Sequence, residues 1–294
     1  MTNIQCPMSN IQSQIADIRS QLEAVYPADE AEALAWWLVE ETTGLSRSQI
    51  LTGCKDTTNF AYMQIFVDRL LHFEPIQYIF GHTLWCGLDL KLTPATLIPR
   101  PETAELVNQI SNIKYQISNC RVLDIGTGSG CIALALKKAH PDWQVTGIDI
   151  SAEAIEVAKE NAIRNHLDVD FQVADIFNVH RTPYTVHPYD IVVSNPPYIC
   201  EREKTSMRPN VLNYEPPTAL FVPDSDPLKF YRKIAELFSL PSREGSGLGY
   251  LFFEINEAYP AELSTMLAEL GYTDILVTND IYGKPRIIQA RSTR

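Results

Sequence analysis

The chain has 294 residues, 45% of them hydrophobic, and its 24 basic and 36 acidic side chains give a formal net charge of -12. This length favours two domains, since a typical domain takes about 100–200 residues, and the apolar content is sufficient for two cores. The acidic balance argues against a protein that grips free duplex DNA, because such a protein neutralises phosphates with a basic face.

The sequence lacks the signals of a membrane span, a secretion signal or a metal site. No window approaches the roughly 18 consecutive apolar residues of a spanning helix, and residues 1–10 have neither a basic start nor an apolar stretch. The six cysteines are scattered, without CxxC or Cys/His spacing. We therefore expect reduced cysteines, no metal and a cytoplasmic protein.

The first 75 residues are predicted to form a small helical bundle. Apolar periodicity places helices over residues 10–26, 28–43, 47–52 and 58–72. Ser46 followed by Gln49 is a capping-box pattern, and Thr57-Thr58 precedes an apolar pattern in a similar way. Residues 76–94 alternate around two glycines and end in proline, which predicts a β-hairpin that links the bundle to the rest of the chain.

Residues 97–103, Leu-Ile-Pro-Arg-Pro-Glu-Thr, predict a turn that enters a helix. Pro101 suits a first helical turn because no hydrogen-bond donor is needed there. The helix dipole favours the carboxylate of Glu102 beside it. A purely structural role is thus one interpretation of this segment.

A glycine turn follows a predicted buried strand at residues 121–125. The turn consists of Gly126, Thr127, Gly128, Ser129 and Gly130. A helix pattern begins at Cys131, and this order of strand, tight turn and helix lets a ligand touch backbone. Asp149 ends the next strand about 20 residues later, where a carboxylate accepts hydrogen bonds from ribose hydroxyls. The GxGxG spacing and the lack of a basic residue for pyrophosphate favour S-adenosylmethionine over a dinucleotide.

A third predicted strand, residues 169–174, leads into Asp175 and Phe177. A carboxylate beside an aromatic ring suits adenine, because the carboxylate accepts from the exocyclic amine while the ring packs on the base. The alternative is a helix cap beside a core phenylalanine. This pair extends the predicted nucleoside site.

The NPPY segment, Asn195-Pro196-Pro197-Tyr198, follows the apolar run 189–194. Its prolines fix the backbone and leave the Asn195 side chain and neighbouring carbonyls as acceptors without competing N–H groups. Such a turn accepts the two hydrogens of a planar NH2 group, and the Tyr198 ring covers its face. Ligands of open α/β sheets bind beyond the carboxyl ends of strands, so we expect this segment to share one crevice with the glycine turn.

The remaining sequence completes an α/β pattern. Residues 199–221 predict a polar lid that grips the substrate. Further elements are predicted at helix 227–238, strand 248–256, helix 260–270 and strands 273–279 and 286–290. The last two strands form a hairpin, which makes the final strand antiparallel in an otherwise parallel sheet. Glu254 is either a site carboxylate or a strand-end charge, and we assign it no role.

The order of these motifs resembles the HemK or PrmC methyltransferases, which are protein-(glutamine-N5) methyltransferases of peptide chain release factors. The matching segments span nearly the whole chain and lie at residues 77–81, 97–103, 124–130, 195–198, 214–216 and 282–286. One departure is Ala104, where members of the family often have Glu. The resemblance implies a Rossmann-like, seven-stranded class I S-adenosylmethionine-dependent methyltransferase domain at residues 95–294 and a helical substrate-recognition domain at residues 1–75.

The resemblance also implies the reaction. A methyl group passes from S-adenosylmethionine to the side-chain amide nitrogen of the glutamine in the GGQ motif of class 1 release factors. The implied catalytic residues are Asn195, Pro196 and Tyr198, and Pro197 completes the substrate contact. The implied cofactor residues are Gly126, Thr127, Gly128, Ser129, Gly130, Asp149, Asp175, Phe177 and Asn195. Residues 100–103 are expected to lie over the methionyl end of the cofactor.

Three alternatives remain open from the sequence. The chain methylates a glutamine of a ribosomal protein, it methylates adenine N6 in a nucleic acid after base flipping, or it is a non-catalytic adaptor that binds the cofactor. The acidic charge and the absence of an evident base-binding domain count against adenine. The intact set of motifs counts against the adaptor. No direct contact with nucleic acid or membrane is expected.

Overall fold

The structure, a computed structural model, describes residues 11–53, 60–113, 119–178, 189–239 and 249–292. The chain divides into two compact units, Met1–Gly81 and His82–Arg294. Within the described residues, no helix combines the length and the apolar character that a membrane crossing requires.

The first unit is helical, as predicted. Its helices are α1 (Ile11–Leu22), α2 (Ala28–Thr43), α3 (Arg47–Leu51), α4 (Phe60–Leu71) and α5 (Ile76–Phe80). Apolar side chains at helical spacing, such as Ile18, Leu38 and Met63, form one core. The predicted capping box is confirmed, since Ser46 and Gln49 each accept the other's backbone N–H. The predicted start at Thr57-Thr58 lies outside the described residues.

The hairpin predicted over residues 76–94 is shorter than expected, because its first five residues form helix α5. Pro75 stands immediately before this helix, and Gly81 ends it in the left-handed region at φ 75°. Ile76 and Ile79 are buried in the helical core, three residues apart. A spacing of three residues puts both side chains on one face of a helix, so the prediction of a strand at these residues was wrong. The hairpin itself consists of β1 (His82–Trp85) and β2 (Leu88–Lys91).

The second unit alternates strands and helices. Its remaining strands are β3 (Arg121–Ile125), β4 (Gln144–Asp149), β5 (Asp170–Val173), β6 (Ile191–Ser194), β7 (Ile199–Cys200), β8 (Phe221–Val222), β9 (Gly249–Glu254), β10 (Tyr272–Asn279) and β11 (Pro285–Ser292). Its helices are α6 (Pro101–Ser111), α7 (Cys131–Ala139), α8 (Ala152–Arg164), α9 (Pro209–Tyr214), α10 (Lys229–Ser239) and α11 (Pro260–Glu269). Pro101 occupies the first turn of α6, as predicted.

In the described part of the chain, seven strands form one sheet in the order β10-β11-β9-β6-β3-β4-β5. Strand β11 is antiparallel to both of its neighbours, and the β9-β6-β3-β4-β5 pairs are parallel, as predicted. The chain runs outward from β3 to β5 and then returns to place β6 on the other side of β3. This reversal is the topological switch point at which open α/β sheets bind ligands.

Two apolar cores cover the faces of this sheet. Strand β6 alternates between them, since Ile191 and Val193 belong to one core and Val192 to the other. Helices α6, α7 and α8 pack on the first face, and α10 and α11 pack on the second. A sheet buried on both faces leaves its carboxyl edge as the place for polar chemistry.

The segment predicted as a polar lid has more structure than expected. It contains a 3-10 helix at Glu201–Ser206, helix α9 and a short 3-10 turn at Pro217–Ala219. Strands β7 and β8 pair in parallel at its two ends. The ends of the segment are therefore held together by backbone hydrogen bonds.

Candidate active site

A cavity of about 450 Å³ opens at the carboxyl edge of the sheet, beside the switch point. Ten of the predicted site residues line it, namely Gly126, Thr127, Gly128, Ser129, Asp149, Asp175, Phe177, Asn195, Pro196 and Pro197. The Ser194 hydroxyl donates to the Ile125 carbonyl over 2.6 Å, which ties the ends of β6 and β3 together. The structure thus brings motifs separated by some 70 residues into one cavity.

The glycine turn leaves β3 with a backbone that side chains disfavour. Gly126 has φ +72° and Gly128 has φ +56°. A Cβ at either position would meet no atom within 4 Å, so both open onto free space. Because both residues line the cavity, a ligand can approach their backbone closely.

Asp124, which we did not single out from the sequence, stabilises this turn by hydrogen bonds. Its Oδ2 accepts the Thr127 hydroxyl over 2.6 Å and the Ala133 N–H at the start of α7. Burial raises the pKa of Asp124 to about 7, although both hydrogen bonds oppose the rise. The available signal was an acidic residue within the apolar run 122–125, two residues before the glycine turn.

Asp149 lies at the end of β4 and faces the same cavity. One of its carboxylate oxygens accepts the Gly128 N–H and the other accepts the Ser151 N–H, each over 2.9 Å. Burial raises its pKa, while these backbone donors lower it. Each oxygen keeps acceptor capacity for a ribose hydroxyl.

Asp175 and Phe177 form a different part of the wall. Asp175 accepts the Phe177 N–H over 2.9 Å, so the pair is held in one local turn. The Phe177 ring lies edge-on to Phe230, with centroids 5.4 Å apart, and the Lys229 ammonium lies 4.9 Å from the Phe177 centroid. Phe230 and Lys229 also line the cavity. We missed them from the sequence, because they belong to α10, which is distant in sequence from Phe177.

Two predicted site residues lie off the cavity wall. Gly130 packs in the core, where an added Cβ would lie 2.9 Å from Phe171 and 3.2 Å from Ala158. Tyr198 is turned toward the sheet, and its hydroxyl donates to Glu254 over 3.2 Å. Gly130 therefore serves close packing of the turn on the strands.

Asn195 belongs to a chain of hydrogen bonds that starts at the cavity wall and leads into the protein. Its Nδ2 donates to the Thr103 hydroxyl oxygen over 3.4 Å, and Thr103 donates to Glu254 over 2.6 Å. Thr103 comes from the first turn of α6, within the predicted 97–103 segment. Asn256 donates to the Tyr198 carbonyl over 3.0 Å and holds the far end of the NPPY segment.

Glu254, to which we assigned no role, lies at the centre of these contacts and is 1% exposed. Burial raises its pKa, whereas the Thr103 hydrogen bond and the charge of Arg286 lower it. Arg286 is held by the Asp280 carboxylate over 3.2 Å. Burial also raises the pKa of Tyr198 far above its ordinary value, so its hydroxyl remains a donor.

An ion pair with a buried carboxylate joins the 97–103 segment to the lid segment. The Glu215 side chain is fully buried, and it accepts from the Arg100 guanidinium over 2.5 Å and from the Ile98 N–H over 3.3 Å. Arg100 and Pro216 both line the cavity. This pair therefore connects two walls of the site.

The residues of the cavity fit S-adenosylmethionine by their chemistry. Gly126 and Gly128 leave the space that a backbone-bound ligand needs, and Asp149 offers acceptors to a diol. Phe177 and Phe230 offer ring surfaces to a base. A cavity of 450 Å³ falls in the range of about 300–1,000 Å³ for small-molecule sites.

Comparison with known proteins finds matches in both parts of the chain. Residues 14–81 match the family described as the PrmC N-terminal domain, and residues 116–240 match one described as a methyltransferase domain. The chain is 44% identical to the release factor glutamine methyltransferase of Bacteroides thetaiotaomicron, over 92% of this chain and 95% of that protein. It is 38% identical to the protein of the same name from Flavobacterium psychrophilum, over 91% and 94%.

A solved structure supports the fold. A methyltransferase from Pyrococcus furiosus is 20% identical and superposes with a TM-score of 0.51, over 79% of this chain and 100% of that one. At this identity the likeness concerns the fold alone.

Proposed function

The chain belongs to the family of release factor glutamine methyltransferases, and we propose that its substrate is the GGQ glutamine of class 1 peptide chain release factors. It is a protein-(glutamine-N5) methyltransferase. We further propose that S-adenosylmethionine is the methyl donor. The observation that carries the proposal is the presence of the Asn195 acceptor and the glycine turn in one cavity.

The first task of the site is to orient a poor nucleophile. The lone pair of a side-chain amide nitrogen is delocalised into its carbonyl, so attack on a methyl group requires a fixed direction. Asn195 Oδ1 and the Pro196 carbonyl each accept one amide hydrogen and aim the nitrogen into the cavity. Positioning of this kind is worth up to about 7–11 kcal/mol in favourable cases.

The same acceptors stabilise charge in the transition state. As the amide nitrogen forms its new bond, its hydrogens become more positive, and acceptors aimed at them bind more tightly than in the ground state. The proton of the alkylated amide is very acidic, so it leaves through these acceptors to water. No general base is needed in this scheme.

The remaining residues hold the methyl donor. S-adenosylmethionine, when bound, supplies an electrophilic methyl group on its sulfonium. Asp149 accepts the ribose hydroxyls, and Asp175 with Phe177 binds the adenine. Gly126 and Gly128 let the ligand lie against the backbone, and Arg100 with Thr103 covers the methionyl end.

Recognition of the protein substrate and the place of action complete the proposal. The assignment of partner binding to the helical residues 1–75 stays a prediction, and so does the role of residues 76–94 as a linker. The net charge of -12 suits a basic protein partner. We propose a cytoplasmic location, because translation factors act there.

The test is mass spectrometry of a purified release factor after incubation with this protein and S-adenosylmethionine. We expect a gain of one methyl group on the GGQ glutamine, and no gain when that glutamine is replaced by glutamate. A release factor that stays unmodified while the protein binds the cofactor would contradict the substrate assignment. Absence of cofactor binding would contradict the assignment of the glycine turn.

A further inference from the structure

Glu254 is a buried carboxylate whose contacts lead directly to the reacting end of the site. Its two oxygens accept from Thr103 over 2.6 Å and from Tyr198 over 3.2 Å. We propose, on the premise of the proposed function, that Glu254 is a positioning residue that fixes which way the Asn195 side-chain amide faces. Its effect passes through Thr103.

The direction of the hydrogen bonds carries this proposal. Thr103 has one hydroxyl proton, and a carboxylate is an acceptor only, so that proton is committed to Glu254. The Thr103 oxygen then offers lone pairs alone to Asn195, whose Nδ2 lies 3.4 Å away. Of the two ends of the Asn195 amide, only the NH2 group can donate a hydrogen bond to this oxygen. Oδ1 is thereby left to face the cavity that Asn195 lines.

Oδ1 is the atom that the reaction requires there. A substrate glutamine presents an NH2 group, and an acceptor must meet it. If the Asn195 amide were turned over, two NH2 groups would face each other and neither hydrogen bond would form. The same cavity shape would then bind the cofactor without orienting the nucleophile.

A neutral side chain of the same shape does not enforce this direction. A glutamine at position 254 has one acceptor oxygen for two hydroxyls, and its NH2 group faces one of the hydroxyl oxygens. Where that hydroxyl is Thr103, its proton turns toward Asn195, which rotates to accept it. The carboxylate is therefore needed because both of its oxygens accept hydrogen bonds, and a side chain of the same volume cannot replace it.

The surroundings fix the position of Glu254 and oppose the rise of its pKa that burial causes. It ends β9, opposite Ile287 of β11, and the Tyr231 hydroxyl donates to its backbone carbonyl over 3.1 Å. Arg286 next to Ile287 contributes a compensating positive charge. Buried charges kept for stability alone are often replaced by neutral groups of similar volume without loss, so stability and turnover will separate in the variants.

The first experiment compares four single variants in the full-length protein. We expect Thr103→Val to lower kcat by about 100-fold, the typical result of misplacing a reacting group by about 1 Å. Glu254→Gln lowers kcat by about 10-fold or more, since part of the molecules have Asn195 reversed. Thr103→Ser keeps the hydroxyl and stays within about twofold of the wild type. Glu257→Gln, on an exposed carboxylate paired with Lys284, is the matched control.

Affinity for S-adenosylhomocysteine, measured by calorimetry, should be unchanged in Glu254→Gln and in Glu257→Gln, neither of which lines the cavity. The double variant Glu254→Gln/Thr103→Val should be no slower than Thr103→Val, because both changes act on one chain of hydrogen bonds. Wild-type kcat in Glu254→Gln would overturn the proposal. So would losses that multiply in the double variant, or a Thr103→Ser enzyme as slow as Thr103→Val.

The second experiment needs no release factor. The side-chain NH2 signals of Asn195, identified by their loss in Asn195→Ala, are followed by NMR with S-adenosylhomocysteine present. We expect both signals to shift in Glu254→Gln and Thr103→Val and to stay in place in Glu257→Gln. Unmoved signals in the first two variants would overturn the positioning role even if the wild type methylates its substrate. Shifted signals in those two variants, combined with a wild-type protein that methylates no release factor, would count against the proposed function alone.

Discussion

Asn195 and Asp149 line the same cavity, but their hydrogen bonds differ in kind. Asp149 accepts two backbone N–H groups, so its position is set by the turn and the strand end themselves. Among the described residues, Asn195 is held through the Thr103 side chain, and it keeps its own oxygen for a ligand. Binding of the cofactor and orientation of the substrate are thus assigned to separate residues.

This separation gives a prediction for Asn195→Ala. Loss of the amide removes an acceptor that acts mainly in the transition state, so we expect kcat to fall by about 100-fold or more. The dissociation constant of S-adenosylhomocysteine should change by less than about threefold, because the glycine turn and Asp149 are untouched. Steady-state kinetics and calorimetry measure the two quantities. Equal losses in both would refute the division.

Asp124 gives a prediction about pH. Its pKa is raised by burial from 3.8 to about 7, so the folded protein binds its proton more tightly than the unfolded chain does. An acid whose pKa is raised in the folded protein contributes stability that is fully present below the unfolded pKa. This stability is lost as the pH rises through the folded pKa. The neutral Asp124→Asn variant lacks this dependence and resembles the protonated acid in its hydrogen bonds.

Urea unfolding of wild type and Asp124→Asn at several pH values measures the effect. We expect the variant to gain stability relative to the wild type between about pH 4 and 7, on the order of 1 kcal/mol for each pH unit crossed. The comparison cancels the contributions of buried acids that do not interact with Asp124, such as Glu254. A difference between the two proteins that is constant over this range would show that Asp124 does not titrate there.

The secondary structure elements show what local pattern can predict and what it misses. Helix α2 and the capping box of α3 agree with the prediction, because spacing and caps are local signals. Helix α5 was predicted as strand, because the five residues between Pro75 and Gly81 are too few to distinguish the helical repeat from the alternation of a strand. Glu254 could not be assigned, because its partner Thr103 lies 151 residues away and only the sheet brings them together.

The link between the 97–103 segment and the lid segment gives a prediction at this scale. Glu215→Gln removes a buried carboxylate from Arg100 and the Ile98 N–H, so we expect a loss of about 1–3 kcal/mol in the free energy of unfolding. Affinity for S-adenosylhomocysteine should weaken as well, because the two walls of the cavity are no longer joined. Chemical denaturation and calorimetry measure these effects.

The control is the exposed pair between Arg164 and Asp89, which are 3.0 Å apart. Asp89→Asn should cost less than about 1 kcal/mol, as exposed ion pairs contribute little. The double variant Arg100→Ala/Glu215→Gln should lose less than the sum of its single changes. Strict additivity would mean that the two residues stabilise the protein independently.

At the scale of the whole molecule, length and charge do not reveal where the site lies. Two compact units agree with the count expected from 294 residues. The four motifs predicted to share a crevice do so because β3 and β6 are neighbours at the switch point. Residues from α10, such as Phe230, join the cavity only through the packing of the complete fold.

The net charge of -12 gives the prediction for this scale. If attraction to a basic release factor speeds encounter, kcat/KM for that substrate should fall about 10-fold or more between low and high salt, since screening removes such steering. An uncharged Gly-Gly-Gln peptide is the control, and its kcat/KM should vary far less. A salt-independent rate with the release factor would exclude steering by charge.

The strand order also has a consequence for folding. Strand β11 lies between β9 and β10 although it follows both in the chain, and β10 reaches the sheet only through β11. The hairpin of residues 272–292 therefore docks as a unit, and it brings Arg286 to the neighbourhood of Glu254. Until that docking, β9 is an open edge, a template for aggregation. Recovery of enzymatic activity during refolding will consequently trail recovery of helical signal, and the interval between them is the period in which the chain is vulnerable.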